Sequence, residues 1–396
     1  RVLHNRDYSL LWTGQFGHSA ALWVEAIARS WLIWELTGSA TLLATVNLLR
    51  AMPMLFFGLF GGVLADRFDK RKILIVCQTV TLANYLVIAT LVVTGTVQVW
   101  HVLLSAFVMG SSMSFNQPAR TALVPSLVGD DELQSAVALN AAAMNVTRVV
   151  GPGVAGLLIA PLGISGVYYI SAGVYVLTLV TTIMMRVPPV IARAEKTSMR
   201  TDMGETFRYV FKTKTVLALV LLALVPMVFG MPYMTVMPVL ADEVLHVGAS
   251  GFGWLQSAAG VGALLVVLLI AAMKRVPRTG LFTLVSIFAF GALLMAFSQC
   301  TWYPLSLVMI AFVGLTSTAS RVFINTSLLE TAAPEMRGRV MSVYTLDRGL
   351  IPLGTMVIGP LVDAVGAPLA LLAMSGVCML LPLIMGLVFP FVRRIP

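Results

Sequence analysis

Charged residues are scarce. Asp, Glu, Lys and Arg make up only 11% of the 396 residues, where a soluble domain carries about 25%. With 59% of residues hydrophobic, the chain has far more apolar material than a soluble core of this size needs, which excludes a water-soluble enzyme. Cysteine is nearly absent. Cys77, Cys300 and Cys378 sit in or beside apolar runs with no C-x-x-C spacing, so neither a disulfide framework nor a metal site is implied. No G-x-x-x-x-G-K-[ST] phosphate cradle occurs, which argues against nucleotide-driven work. H-E-x-x-H and G-x-S-x-G are also missing, so no enzyme and no cofactor are expected. The short alternating runs of a β-barrel are absent too.

Long continuous apolar runs are what the chain does have. A membrane-spanning helix needs about 20 mostly apolar residues. Twelve such runs lie near 9–36, 41–65, 73–94, 98–118, 134–160, 164–185, 215–241, 250–273, 279–299, 303–329, 340–362 and 367–392. The first is too long, and lacks the small-residue cleavage site, for a signal peptide. The expected fold is an all-α membrane protein of twelve transmembrane helices in two pseudo-symmetric six-helix bundles.

Charge then orients the chain. With an even number of spans both termini share a side. That side collects 21 of the 26 Lys and Arg, from Arg6 and Arg71 through Arg120 to Arg393, and the opposite loops hold none. Basic residues mark the cytoplasmic face, so both termini are expected in the cytoplasm, in a multi-pass protein of the cell inner (plasma) membrane. The same asymmetry accounts for the net charge of +9 without nucleic acid. Anionic membrane lipids are the implied surface partner.

The longest polar stretch divides six spans from six. The expected organisation is an N-terminal bundle over 1–186, a cytoplasmic linker over 187–214 and a C-terminal bundle over 215–396. The halves echo each other. Arg148 and Pro152 form R-x-x-x-P in span five, and Arg348 and Pro352 repeat it in span eleven. Glycine-containing turns recur around Gly38 and Gly248, and around Gly163 and Gly366. Basic clusters follow spans two and eight. A duplicated six-helix unit is a mark of transporters, with the substrate site near the bilayer midplane.

Five segments carry a family resemblance. Gly62-Val63-Leu64-Ala65-Asp66-Arg67-Phe68-Asp69-Lys70-Arg71-Lys72 resembles the G-x-x-x-D-R-x-G-R-K/R loop of the major facilitator superfamily, with Asp69 where the pattern has Gly and Lys70 where it has Arg. Gly151-Pro152-Gly153-Val154-Ala155-Gly156, near Arg148, is similar to the G-P-x-x-G motif of the superfamily's proton-driven exporters. The opening Leu3-His4-Asn5-Arg6-Asp7-Tyr8, Ala122-Leu123-Val124-Pro125 with Asn140, and Ala333-Pro334-Glu335-Met336-Arg337-Gly338-Arg339-Val340 resemble the branch of enterobactin-type exporters and macrolide-efflux-like proteins. The first motif implies a cytoplasmic gate in which Asp66 latches one conformation against nearby bases; the plain alternative is a solvated charge run. The second implies a bent, closely packed helix that seals against proton leak.

Ionised groups at bilayer depth cost about 2.5–3.5 kcal/mol each on insertion scales, so those that remain should face one another or water. Glu25 and Arg29 share a helical face at i, i+4, with His18 two turns earlier. Burial and Arg29 act on the proton affinity of Glu25 in opposite senses. The cluster is therefore either a proton-coupling site or a static pair that orders the helix. The resemblance supports the first, since the superfamily often places a coupling acid in span one. Asp347 and Arg348 are expected at the gate, with Asp66 or Arg50 as partners; the alternative is a static pair. Arg120 is placed at the cytoplasmic end of span four. Arg321 and Asn325 in span ten, Asn116 in span four, and Met231, Tyr233 and Met234 between the prolines of span seven are expected to line a substrate cavity. Flexible Met beside aromatics suits promiscuous apolar binding, and Pro226 and Pro238 suggest a broken helix.

The expected function is secondary active transport by alternating access, with proton-coupled export of an amphipathic small molecule of drug or siderophore type by a monomer. The alternative is a lipid or lysophospholipid flippase of the same fold.

Overall fold

Local signals set where the helices start and stop. The Asn5 side chain accepts the backbone N–H groups of Asp7 and Tyr8 at 3.1 and 3.2 Å and caps α1 (Arg6–Thr37). Gly38, at φ 57°, ends it, returning its N–H to the Trp34 carbonyl at 2.7 Å. The computed structural model describes residues 2–187, 208–273, 278–345 and 350–395, and among these no strand occurs. After α1 come α2 (Ala40–Arg67), α3 (Lys70–Val93), α4 (Val99–Leu127) and α5 (Asp130–Met184). Then follow α6 (Lys214–Val244), α7 (Gly248–Ala272), α8 (Thr279–Ser298), α9 (Tyr303–Thr331), α10 (Arg337–Thr345), α11 (Ile351–Val365) and α12 (Ala367–Val388).

The α5 segment is two helices joined where Gly163 adopts φ 67°, ψ 177°. With α10 and α11 sharing the position of the expected eleventh span, the described helices occupy all twelve predicted spans. Among the described residues, seven helices are long and apolar enough to cross a membrane by length and composition alone. Side chains such as Val76, Leu268 and Leu387 lie exposed on helix flanks, where acyl chains satisfy them and water does not. The glycine turns repeat in conformation as well as in sequence. Gly38 and Gly248 have φ of 57° and 60°, and Gly163 and Gly366 have φ of 67° and 86°, a region that side chains with a Cβ rarely enter.

The chain divides into two compact units. One comprises Arg1–Ala194 with Val247–Ser257, the other Glu195–His246 with Ala258–Pro396. In the first, α1 runs along α5, α2 along α4, and α3 lies against both α4 and α5. In the second, α8 packs on α9 and α12, and α11 packs on α12. Most of the predicted linker, 188–207, lies outside the described residues.

Two elements differ from expectation. Span four does not stop at 118, because α4 runs through Pro118 and Pro125 to Leu127. Proline is tolerated in membrane helices where neighbours re-satisfy the freed carbonyls. Span seven is widened, not broken. Residues Pro226–Gly230 and Leu240–Val244 form π turns, and the Met231 N–H reaches back five residues to the Pro226 carbonyl at 2.7 Å.

Candidate functional site

Glu25 is 1% exposed and binds two arginines. Its Oε1 accepts from Arg29 Nε at 2.9 Å, the i, i+4 contact legible in the sequence. Its Oε2 accepts from Arg50 Nη1 of α2. Arg29 also donates through Nη1 to Asn47 Oδ1 of α2 at 3.1 Å. One carboxylate thus holds α1 and α2 together and leaves the trio with a net positive charge. Arg50, expected as a possible partner of the gate residues, pairs with Glu25. Its contact joins two helices, and no spacing along one helix reveals such a pair. Tyr85 and Tyr168, both fully buried, lie within electrostatic reach of the trio.

His18 hydrogen-bonds elsewhere. Its Nδ1 meets the Tyr175 hydroxyl on the second arm of α5 at 2.5 Å. Tyr175 carries no signal of this role in the sequence, since only the Gly163 reversal brings its helix back beside α1. Arg120 is buried as well. It is 3% exposed, about two turns before the C-terminal end of α4, so the chain buries it instead of leaving it at an open helix end. Its Nε donates to Asn116 Oδ1 at 3.4 Å, so Asn116 serves an arginine before any cavity. Nearby, Gln78 Nε2 donates to Thr182 Oγ1 at 3.0 Å.

In the gate segment, the side chains of Gly62, Asp66 and Arg67 lie outside what is described, and so do residues Asp347 and Arg348. What is described is a latch of the opposite sign. Arg71 donates through Nε to the Thr182 carbonyl at 3.1 Å, and through Nη2 to the Ile183 carbonyl. A cation there satisfies the last carbonyls of α5 and complements the negative end of its dipole. Lys70 is buried to 9% exposure. Asp69 replaces the family's glycine with a working cap. Its backbone is extended (φ −60°), and its carboxylate accepts the N–H groups of Arg71 and Lys72 at 2.9 and 3.4 Å.

The helix-five motif is a packing surface within the first unit. Gly151 lies against Trp23 of α1, and the Arg148 guanidinium sits 6.0 Å from the Trp23 ring centre. Gly153 donates its N–H to the Ser257 hydroxyl at 2.7 Å, and Ser250 donates to the Gly156 carbonyl at 2.8 Å. A Cβ on Gly156 would come 3.0 Å from the Gly253 Cα. Pro152, which lacks an N–H, is thus followed by a donor that turns outward to α7.

In the second unit Arg321 and Asn325 are half-buried on α9, and the Arg321 carbonyl accepts from Tyr344 at 3.5 Å. Tyr233 is buried edge-on to Phe290, while Met231 and Met234 are half-buried. Among the described residues no three His, Cys, Asp or Glu side chains converge as a metal centre requires.

Known proteins match along nearly the whole chain. The Staphyloferrin A transporter of Staphylococcus aureus is 23% identical over 393 residues, covering 94% of this chain and 92% of its own. Multidrug efflux pump Tap of Mycolicibacterium fortuitum is 26% identical over 385 residues, with the same coverage of 94% and 92%. Macrolide efflux protein A of Streptococcus pyogenes is 25% identical over 365 residues, covering 90% and 89%. Among solved structures, that of a point mutant of nucleoside transporter NupG superposes with a TM-score of 0.80 at 12% identity, over 96% of this chain and 99% of its own. The fold is therefore the twelve-helix major facilitator fold. The model that describes transmembrane secretion effectors matches residues 2–394, and the chain accordingly belongs to that family of the major facilitator superfamily.

Proposed function

We propose that this protein is a secondary active transporter of the plasma membrane that exports an amphipathic small molecule in exchange for protons by alternating access. Both termini face the cytoplasm, as the one-sided placement of Lys and Arg supports. Support for export comes from the relatives, whose names describe efflux of drugs and macrolides.

The observation that carries the coupling is the Glu25 bridge between Arg29 and Arg50. While ionised, Glu25 holds two guanidiniums from two helices. A proton on Glu25 removes their shared counter-ion, and Arg29 and Arg50 then repel. Low dielectric makes that repulsion large. Release of Arg50 removes the ionic tie between α2 and α1 and leaves only the Arg29–Asn47 hydrogen bond of this cluster, and a deprotonation on the other side restores the bridge. The helix-five surface at Pro152 and Gly156 acts as the tightly packed contact about which the motion occurs, and Arg71 holds the α3–α5 junction at the cytoplasmic end.

The test is transport in reconstituted vesicles. Wild-type protein is expected to drive substrate movement with an imposed pH gradient. Glu25→Gln, which keeps the shape and removes the titration, is expected to abolish gradient-driven movement and retain substrate binding. Unaltered pH-driven transport by Glu25→Gln would remove this residue from the mechanism. Transport of lysophospholipid without dependence on the gradient would favour a flippase instead.

A further inference from the structure

One buried charge has no use in the scheme above. Arg120 is 3% exposed, and among the described residues its Nη1 and Nη2 have no hydrogen-bond partner. Its Nε is spent on Asn116 Oδ1, which leaves Asn116 Nδ2 without a partner as well. Every unmatched nitrogen here is a donor. The nearest accounting of charge offers no relief: Glu25 is already shared by Arg29 and Arg50. Arg120 also acts electrostatically on His18 and Tyr175, which bring no negative charge in their ordinary states.

An uncompensated buried guanidinium is strongly disfavoured unless a counter-ion reaches it. A water molecule accepts from only two donors and neutralises nothing. Arg120 lines a cavity of about 370 Å³ between α1, α4 and α5, within the size range of small-molecule sites. Gln15, Gln117 and Asn140 supply its polar side, and Asn140 Oδ1 is another unmatched atom. Val124, Val137 and Met144 supply apolar wall. On α1, Gly14 leaves the guanidinium room: a Cβ there would lie 3.6 Å from Arg120 Nη1.

We infer that this cavity takes the anionic head, carboxylate or phosphate, of an otherwise apolar molecule, with Arg120 as the charge partner. The fork of the guanidinium suits a two-oxygen anion, and the apolar wall takes the tail. This rests on the transporter reading and narrows it: the cargo is an anionic amphiphile, bound in the first unit at Arg120 and not at Arg321.

The test is a binding titration on the purified full chain in neutral detergent, with octanoate, octyl phosphate, octanol and octylammonium as matched probes. Octanoate and octyl phosphate are expected to bind about tenfold or more tighter than octanol and octylammonium. In Arg120→Gln the octanoate affinity is expected to fall about 10- to 100-fold, to the level of octanol. Arg120→Lys should recover part of it, keeping the charge and losing the fork. The ligand-free thermal midpoint of Arg120→Gln should equal or exceed wild type, because the variant removes an unpaired buried charge. Equal binding of all four probes, undiminished octanoate binding by Arg120→Gln, or a lowered ligand-free midpoint would each overturn the inference. The titration is then repeated in phosphatidylcholine vesicles with and without phosphatidylglycerol. Competition by phosphatidylglycerol identifies the anion as a lipid headgroup, and its absence identifies a soluble substrate; both keep Arg120 as the partner. Because binding needs no pH gradient, failure of proton exchange leaves this result standing.

Discussion

Gly153 gives its backbone N–H to the Ser257 hydroxyl at 2.7 Å, so the donor that follows Pro152 is satisfied by another helix. The contact is possible only because the two backbones nearly touch. A Cβ on Gly253 would meet the Pro152 carbonyl oxygen at 2.5 Å and the Gly156 Cα at 2.8 Å. These are backbone atoms, which cannot swing aside as a side chain does.

Gly253→Ala is therefore expected to be worse than Ser257→Ala. Forcing a methyl into this approach costs about 1–3 kcal/mol. Loss of the serine hydroxyl costs about 0.6 kcal/mol, the average for such bonds between membrane helices. Thermal midpoints of the two variants in detergent check the order, and a Ser257→Ala variant that falls further than Gly253→Ala would refute the packing account.

The Glu25 trio yields an asymmetric prediction. Glu25→Ala strands the buried Arg29 and the half-buried Arg50 and should cost about 3–5 kcal/mol. Arg50→Ala leaves Glu25 with Arg29 and should cost less. In a double-mutant cycle, the Glu25–Arg50 coupling should be about 0.5–3 kcal/mol. Denaturation of the four proteins measures it, and additive effects would mean the contact carries no energy.

Half of that trio is legible in the sequence. Glu25 and Arg29 are four apart on one helix, and that spacing alone places them together. Arg50 sits 25 residues on, beyond the Gly38 turn, and only the packing of α2 on α1 decides what it meets. The burial of Arg120 is hidden for another reason. A base soon after Pro118 resembles the end of a span, yet α4 continues to Leu127 and the guanidinium is enclosed. The spans themselves are legible because apolar runs of this length have no other stable fate. The π turns of α6 are not, since the prolines signal a disturbance without saying whether the helix breaks or widens.

Asp69 offers a local test. As the cap of α3 it accepts two backbone N–H groups. Asp69→Ala should cost about 1 kcal/mol, while Asp69→Gly, which restores the family pattern, should cost only a few tenths. Thermal midpoints separate these, and equal losses would show that the cap contributes nothing.

The glycine-hinged turns have a consequence for how the molecule meets a protease. Residues 38–39, 94–98, 163, 245–247, 299–302 and 366, which join consecutive helices on one side, contain no lysine or arginine. Trypsin has no bond to cut there. With the orientation proposed above, the protease is expected to leave these turns whole when added outside an intact cell.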